Sequence, residues 1–174
     1  EDETHRCGVA FFMSKAAESA LMEWKLVNER IITARFYSKL IKLTVIHVYA
    51  STTDAKDEVK DTFYEQLQTV VEMHKDDMVI IAGDMNAKVG ANNKGNERMM
   101  GKHGTGIINN NGERLVEFCG MNDLVITGTI FPHKYIHKNT WTSPDKRTTN
   151  QIDHTLVKCK YRSSIKKHPG HERR

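Results

Sequence analysis

The sequence has few cysteines and prolines and no long apolar run. Its three cysteines, Cys7, Cys119 and Cys159, lie far apart and form no Cys-x-x-Cys pair. This spacing argues against a disulfide framework and a cysteine-based zinc site, and it favours a reducing, intracellular location. Three prolines in 174 residues exclude a Pro-rich or collagen-like chain. No segment approaches the roughly 18 apolar residues of a membrane span, so we expect none.

The positive charge is concentrated at the C-terminal end. The net charge is +4, and residues 158–174 carry seven Lys or Arg and one Glu, so the remainder is slightly acidic. We predict a domain over residues 1–157 followed by a basic C-terminal tail over 158–174. Such a tail either attracts phosphate backbones or is simply a solvated chain end.

The hydrophobic pattern predicts strands first, then alternating helices and strands. A turn at residues 28–30 joins two early strands, and helical spacing of apolar residues indicates a helix over 54–75 with Asp54 as its N-cap. Leu40–Ala50 has apolar residues on both faces, which predicts a strand buried on both sides. We expect an α/β or α+β protein built in layers. The other predicted strands are Gly8–Met13, Leu21–Val27, Ile31–Phe36, Met78–Ala82, Leu124–Thr127, Asn139–Thr142 and Gln151–Val157, and a short helix covers Gly112–Cys119.

Two segments carry residues suited to chemistry. The apolar strand Val79–Ala82 runs into Gly83-Asp84-Met85-Asn86, which offers an acid and an amide two residues apart. If the strand continues, both side chains point the same way, towards a water, a cation or a developing oxyanion. Gly-Asp-x-Asn is equally common in plain turns. In the second segment Asp153 lies within an apolar strand, where a carboxylate orients a catalytic His, binds a metal or forms an ion pair at a strand edge.

Taken together, these segments resemble the endonuclease/exonuclease/phosphatase superfamily, which has the DNase I-like fold. Residues 80–86 (IIAGDMN) resemble its Gly-Asp-Phe-Asn motif, and residues 140–157 (TWTSPDKRTTNQIDHTLV) resemble its Thr-Trp to Ile-Asp-Tyr block. Residues 30–53, 63–67, 83–90, 101–119 and 122–127 are similar, more narrowly, to the apurinic-type endonuclease domain of RTE-type LINE retrotransposons. The resemblance runs from about residue 8 to about residue 166.

The resemblance implies a fold, a reaction and a set of site residues. The fold is a four-layer α/β sandwich of two packed sheets flanked by helices, here truncated at both ends. The reaction is Mg²⁺- or Mn²⁺-dependent cleavage of DNA, which makes a nuclear location more probable than a cytoplasmic one. The implied residues are Asp84 (activates water, metal ligand), Asn86 (phosphate, metal ligand), Tyr49 (scissile phosphate), Asp153 (partner of a catalytic His), and Asn109 and Asn111 (substrate contacts).

Two elements of the family pattern have no match in this chain. These are an early metal-binding Asn and Glu, and a late Ser-Asp-His motif; Glu3, His168 and His171 do not fit them. His154 follows Asp153 directly on a strand and would point to the opposite face. We therefore expect an inactive or weak nuclease, with strands 40–50 and 78–82 left with open edges. A non-catalytic nucleic-acid-binding or protein-interaction module, and a small-phosphate phosphatase, remain as alternatives.

Overall fold

The computed structural model describes residues 8–134 and 138–166, which form a mixed α/β fold, as predicted. Six strands make one mixed sheet in the order β1-β2-β3-β4-β8-β5, and β6 and β7 form a separate small sheet. The strands are β1 (Leu21–Asn28), β2 (Ile31–Phe36), β3 (Leu43–Tyr49), β4 (Met78–Asp84), β5 (Leu124–Ile126), β6 (Trp141–Thr142), β7 (Thr149–Asn150) and β8 (Asp153–Lys158). The α-helices are α1 (Lys15–Ala20), α2 (Asp57–Met73) and α3 (Asn110–Met121).

The centre of the large sheet combines a hairpin with a parallel crossover. Asn28 Oδ1 accepts a hydrogen bond of 2.8 Å from the Arg30 N–H, which closes the predicted turn between β1 and β2. Helix α2 then connects β3 to β4, which pair in parallel. β2 pairs with the other edge of β3, and β8 with the other edge of β4. The expectation of open edges on these two strands is therefore wrong, because β2 and β8 supply the missing neighbours.

Helices α2 and α3 cover one face of the sheet. In α2 the buried apolar side chains recur at helical spacing, as predicted, at Phe63, Leu67, Val70 and Val71. The N-cap of α2 is Lys56 rather than Asp54, because residues 52–55 form a separate turn with a hydrogen bond from Ala55 N–H to the Thr52 carbonyl. Helix α3 is longer than predicted.

The opposite face of the sheet is only partly covered. On β3 the side chains that alternate towards the helices, Thr44, Ile46 and Val48, are fully buried, whereas Leu43, Val45 and His47 are partly exposed. The prediction of burial on both sides is thus wrong for the second face. At the edge of that face Trp24 and Leu26 are 61% and 55% exposed.

Residues 8–13 do not form the predicted strand. The segment lies beside the partly covered face, where the Phe11 ring is 6.2 Å from the His47 ring, and it pairs with no strand. The apolar composition of this segment was not enough to predict a strand, because a strand also needs a neighbouring strand to which its main chain can hydrogen-bond. The described residues form one large sheet and one small one, so the packing of two large sheets stays a prediction.

The predicted boundary at residue 158 falls within folded structure. Lys158 closes β8, and Cys159–Ser164 form a 3₁₀ helix. Arg162 Nη1 donates to the carbonyls of Glu97 and Arg98 at 2.8 and 3.1 Å, which holds this helix against the preceding loop. Glu3, His168 and His171 lie outside the described residues, and the division into domain and tail stays a prediction. No helix within the described ranges has the length and apolar character needed to cross a membrane.

Candidate functional site

Three of the predicted catalytic residues form a row across three adjacent central strands of the large sheet, at the ends of those strands. Tyr49 at the end of β3 is the register partner of Asp84 at the end of β4. Asp84 is in turn the register partner of Asp153 at the start of β8. Register partners on neighbouring strands project to the same face. The row therefore lies on the partly covered face, open to a ligand.

Asp84 is electrostatically strained within this row. The residue is half-buried, and the loss of solvent raises the pKa of its carboxyl above the ordinary value. The negative charge of the neighbouring Asp153 raises this pKa further, while a hydrogen bond from the Asn86 N–H to Asp84 Oδ1 at 2.8 Å opposes the rise. A carboxylate that binds a proton more readily than usual is suited to accept one from water.

Asn86 lies just beyond β4 and does not continue its alternation. Its φ of 47° is in the left-handed region, which Asn tolerates better than most residues. Its Nδ2 donates to the Ala50 carbonyl at 2.9 Å, so the side chain spans from the end of β4 to the end of β3. Met85 between the two polar residues is fully buried. Asp84 and Asn86 are thus brought together by a turn anchored on a core methionine.

Gly83 permits a close approach between two strands. Its φ is +146°, and a Cβ at this position would lie 2.0 Å from the Val48 carbonyl oxygen. A glycine suits such a position because it has no Cβ. The group that approaches it is the backbone of β3.

Asn109 and Asn111 both bind main-chain groups of the turn that follows β4. Asn109 is the N-cap of α3, where its Oδ1 accepts from Gly112 N–H at 2.8 Å and from Lys88 N–H at 3.0 Å. Asn111 is 3% exposed, and its Nδ2 lies 3.0 Å from the Ser51 carbonyl oxygen and 3.1 Å from that of Asn86. Their predicted contact with substrate stays a prediction.

His154 points away from Asp153 into the core, as predicted from strand alternation. It is 4% exposed, and its Nε2 lies 2.8 Å from the Ala87 carbonyl oxygen. Because a carbonyl only accepts, Nε2 carries the hydrogen in this contact. Burial lowers the pKa of the imidazole, which favours the neutral form. His154 therefore binds the turn from the core side of the sheet and does not reach the partly covered face.

Two cations were not identified from the sequence: Arg30, which contacts Tyr49, and Lys88, which lines a separate cleft. The Arg30 guanidinium lies 5.6 Å from the centre of the Tyr49 ring and donates to the Tyr49 carbonyl at 3.2 Å. Lys88, two residues after Asn86, contributes to a polar cleft of about 350 Å³. No local pattern marks Arg30, because it reaches Tyr49 only through the pairing of β2 with β3. The cleft is lined by Lys88, Thr105, Gly106, Ile107, Thr149, Asn150 and Gln151.

A family model described as endonuclease-reverse transcriptase, within the endonuclease/exonuclease/phosphatase superfamily, matches residues 43–172. The chain belongs to this family. The match includes Tyr49, Asp84, Asn86 and Asp153. Craniofacial development protein 2 of Bos taurus is 41% identical to 98% of the chain, which spans 29% of the length of that relative. The resemblance inferred from the sequence is thus confirmed at the level of the family.

Solved structures are similar to this endonuclease-like domain in fold. The 3′ phosphatase NExo from Neisseria, bound to a product DNA hairpin, has a TM-score of 0.59 at 15% identity. That match covers 84% of this chain and 62% of the phosphatase. The endonuclease domain of a telomere-specific non-LTR retrotransposon has a TM-score of 0.49 at 19% identity, over 75% of this chain and 51% of that domain. The first likeness supports a DNase I-like fold.

Members of the endonuclease/exonuclease/phosphatase superfamily typically use divalent metals. Within residues 8–134 and 138–166, no group of three or more His, Cys, Asp or Glu side chains is placed to hold one. Two carboxylates, Asp84 and Asp153, are nevertheless neighbours, and burial together with the Asp153 charge raises the pKa of Asp84. Mg²⁺ is commonly bound by one or two carboxylates, with waters and substrate phosphates completing its shell. The residues present fit such a site.

Proposed function

We propose that this chain is a Mg²⁺-dependent DNA endonuclease domain, related to retrotransposon endonucleases, that binds DNA and cleaves it slowly. The observation that carries the proposal is the row formed by Tyr49, Asp84 and Asp153 across three adjacent strands. The row supplies a base, a second carboxylate and a phenol on one open face. Phosphodiester hydrolysis needs groups of these kinds close together.

Asp84 is the proposed general base. Its partial burial and the nearby Asp153 charge favour uptake of a proton from an attacking water. Tyr49, held at its backbone by Arg30, is the proposed hydrogen-bond donor to a phosphate oxygen. Asn86 is the proposed amide that orients the phosphate, and Asp153 is the proposed second carboxylate.

A divalent cation would be held by Asp84, with Asn86 or Asp153 contributing a further oxygen. When bound, the metal would neutralise charge on the phosphate oxygens. Mg²⁺ is the proposed ion and Mn²⁺ its substitute, since both prefer oxygen ligands.

The proposed partner is the DNA backbone. Arg30, which contacts Tyr49, and Lys88, which lines the polar cleft, are the proposed phosphate contacts. Substrate contact by Asn109 and Asn111 stays a sequence-based prediction, which competes with the bonds these side chains make to the protein main chain. The basic residues after 158 would add salt-dependent attraction. A DNA substrate implies a nuclear location, which belongs to the same proposal.

Slow cleavage is proposed because the sequence lacks matches to the family's metal-binding Glu and its Ser-Asp-His motif. Catalytic groups that act together lose orders of magnitude in rate when members are removed. The four-layer sandwich is part of the same proposal. Its second large sheet would pack on the β1 side of the partly covered face, which exposes Trp24 and Leu26, and would leave the strand ends with Tyr49, Asp84 and Asp153 free.

A plasmid-nicking assay on the pure chain tests this proposal. We expect slow conversion of supercoiled to nicked DNA in Mg²⁺, lost with EDTA and with Asp84→Asn. Asp76→Asn is the matched control, because Asp76 is an exposed aspartate in the loop before β4, at the end of the strand away from the row. Nicking that survives Asp84→Asn would come from a contaminant and would contradict the proposal.

The two other functions predict different results in the same samples. Salt-dependent DNA binding without any nicking would favour a non-catalytic binding module. This second candidate is favoured by the basic residues 158–174, which carry seven Lys or Arg and one Glu. Release of inorganic phosphate from a small phosphomonoester, with intact plasmid, would favour a phosphatase.

A further inference from the structure

The first turn of α3 and the side chain of His154 enclose the turn that carries the proposed catalytic residues. We propose that residues 109–112 and His154 act as a positioning clamp for residues 84–88. The inference rests on the proposed function only in giving Asp84 and Asn86 their roles. The clamp itself is argued from hydrogen bonds and close contacts.

Successive main-chain groups of this turn are bound from outside it. Met85 N–H donates to the Ile152 carbonyl at 3.0 Å. The Asn86 carbonyl accepts from Asn111, and the Ala87 carbonyl accepts from His154. Asn109 accepts from Lys88 N–H and donates its own N–H to the Lys88 carbonyl at 3.0 Å. A turn bound at this many consecutive groups has little freedom to move.

Gly112 brings the helix close enough to make these bonds. A Cβ on Gly112 would lie 1.9 Å from the Lys88 carbonyl oxygen, so the backbone of α3 packs directly on the turn. The Asn-x-Asn-Gly sequence at 109–112 thus has a structural role at each named position. Asn109 caps the helix and binds Lys88, Asn111 binds Asn86, and Gly112 allows the approach.

Asn111 also links this turn to the end of β3. Its Nδ2 contacts the Ser51 carbonyl as well as the Asn86 carbonyl, and Asn86 itself donates to the Ala50 carbonyl. The strand end that carries Tyr49 and the turn that carries Asp84 are therefore held at one separation. Asn111 is buried and contacts two protein carbonyls, which is the geometry of a positioning residue.

Helix α2 holds the first turn of α3 in place. Lys60 of α2 is 5% exposed and donates its Nζ to the Thr53 carbonyl and to Asn110 Oδ1, at 2.8 and 3.3 Å. Arg114 of α3 forms ion pairs with Asp57 and Asp61 of α2. The first turn of α3 is thus anchored to the neighbouring helix on the side away from the catalytic turn.

Native-state amide hydrogen exchange of the whole chain, free of metal and DNA, tests the clamp. In Asn111→Ala we expect the main-chain N–H groups of Asn86 and Lys88 to exchange at least roughly tenfold faster than in the parent chain. The matched control is Asn122→Ala. Asn122 is also buried, but it is the C-cap at the opposite end of α3. Its side chain bonds Gln68 and the Phe118 carbonyl rather than the turn. In this control the two amides should change no more than the amides of β3.

A second pair of variants keeps the test independent of helix stability. His154→Phe removes the bond to Ala87 without touching α3, and it should release the same two amides. His154→Gln retains an amide hydrogen for the Ala87 carbonyl and should restore part of the protection. If Asn111→Ala no longer unfolds cooperatively, the exchange rates in His154→Phe and His154→Gln decide whether the clamp restrains the turn.

The outcomes separate positioning from direct contact. Equal exchange of the two amides in Asn111→Ala and Asn122→Ala overturns the clamp. So does a loss of DNA affinity in Asn111→Ala with unchanged exchange, because that result assigns Asn111 to the substrate. Since exchange is measured without DNA or metal, it can support the clamp even where nicking fails.

Discussion

Asp84 and Asp153 are direct neighbours across the antiparallel pair of β4 and β8, with Asp84 half-buried and Asp153 exposed. Two negative charges in adjacent positions repel each other, and the less solvated one bears most of the cost. The sheet retains this pair at the open end of its central strands. Such an arrangement is unfavourable for stability and favourable for binding a proton or a cation.

Asp84→Asn should stabilise the fold at pH 7 by less than about 1 kcal/mol, because solvent screens the charge of the half-exposed carboxylate. The folded-state pKa of Asp84 is raised, so its ionised form destabilises the folded chain, and this penalty disappears as the pH falls through that pKa. The Asn side chain still offers Oδ1 to the Asn86 N–H. Urea unfolding at pH 7 and pH 4 measures the difference, which should be larger at pH 7. A variant less stable than the parent at pH 7 would contradict this account.

The carboxylate charge of Asp77 should stabilise the folded chain, whereas that of Asp84 destabilises it. Arg35 donates to both carboxylate oxygens of Asp77, at 2.7 and 3.1 Å, and the Thr44 hydroxyl donates at 2.7 Å. The hydrogen bond from Arg35 lowers the pKa of Asp77, so its stabilisation is present above the unfolded-state value of 3.8 and is lost as the pH falls through the lower folded-state value. Asp77→Ala should cost about 3 kcal/mol at pH 7 in urea unfolding.

The neighbouring residue supplies the control for Asp77. Asp76 is exposed, and Asp76→Ala should change the free energy of unfolding by no more than about 0.5 kcal/mol. The cost of Asp77→Ala should shrink when the comparison is repeated near pH 3. A constant cost across that range would show that the carboxylate charge is irrelevant.

Gly83→Ala should destabilise the sheet by at least about 3 kcal/mol. The added methyl carbon would meet the Val48 carbonyl oxygen at 2.0 Å, and φ is +146°. Gly95→Ala is the comparison, because Gly95 also has a positive φ, +82°, but no atom lies within 4 Å of the new carbon. That variant should lose only about 1–2 kcal/mol. Similar thermal midpoints for the two variants would argue against the close approach.

Lys88→Ala should weaken DNA binding and reduce the slope of log affinity against log salt by about one. Lys88 lines the polar cleft and follows Asn86 by two residues. Lys75→Ala is the matched control, since Lys75 is exposed in the loop before β4, away from the row. Fluorescence anisotropy with a labelled duplex at several salt concentrations measures both. Equal slopes for the two variants would remove Lys88 from the proposed DNA contacts.

Local patterns in the sequence were enough to identify several elements. The turn at Asn28, the amphipathic face of α2 and the apolar strand before Asp84 each depend on residues close together in the chain. The family resemblance rested on linked motifs in the right order. For the same reason, Tyr49, Asp84 and Asp153 could be named as a set before their positions were known.

Other features could not be obtained from such patterns. Asn109 as an N-cap was within reach, because it precedes Gly112 by three residues, but its bond to Lys88 was not. The bond between His154 and Ala87 joins residues 67 positions apart. Arg30 reaches Tyr49 only because β2 and β3 pair in one register.

The sequence by itself determined which chemical groups are available and where most of the strands and helices lie, because these depend on residue type and local period. Only the tertiary structure decided that Asp84 has a carboxylate neighbour, that Asn111 and His154 hold the turn, and that one face of the sheet stays partly open. Each of these depends on strand register and helix packing. Such contacts join distant residues, and the free energy that selects them is shared across the whole fold.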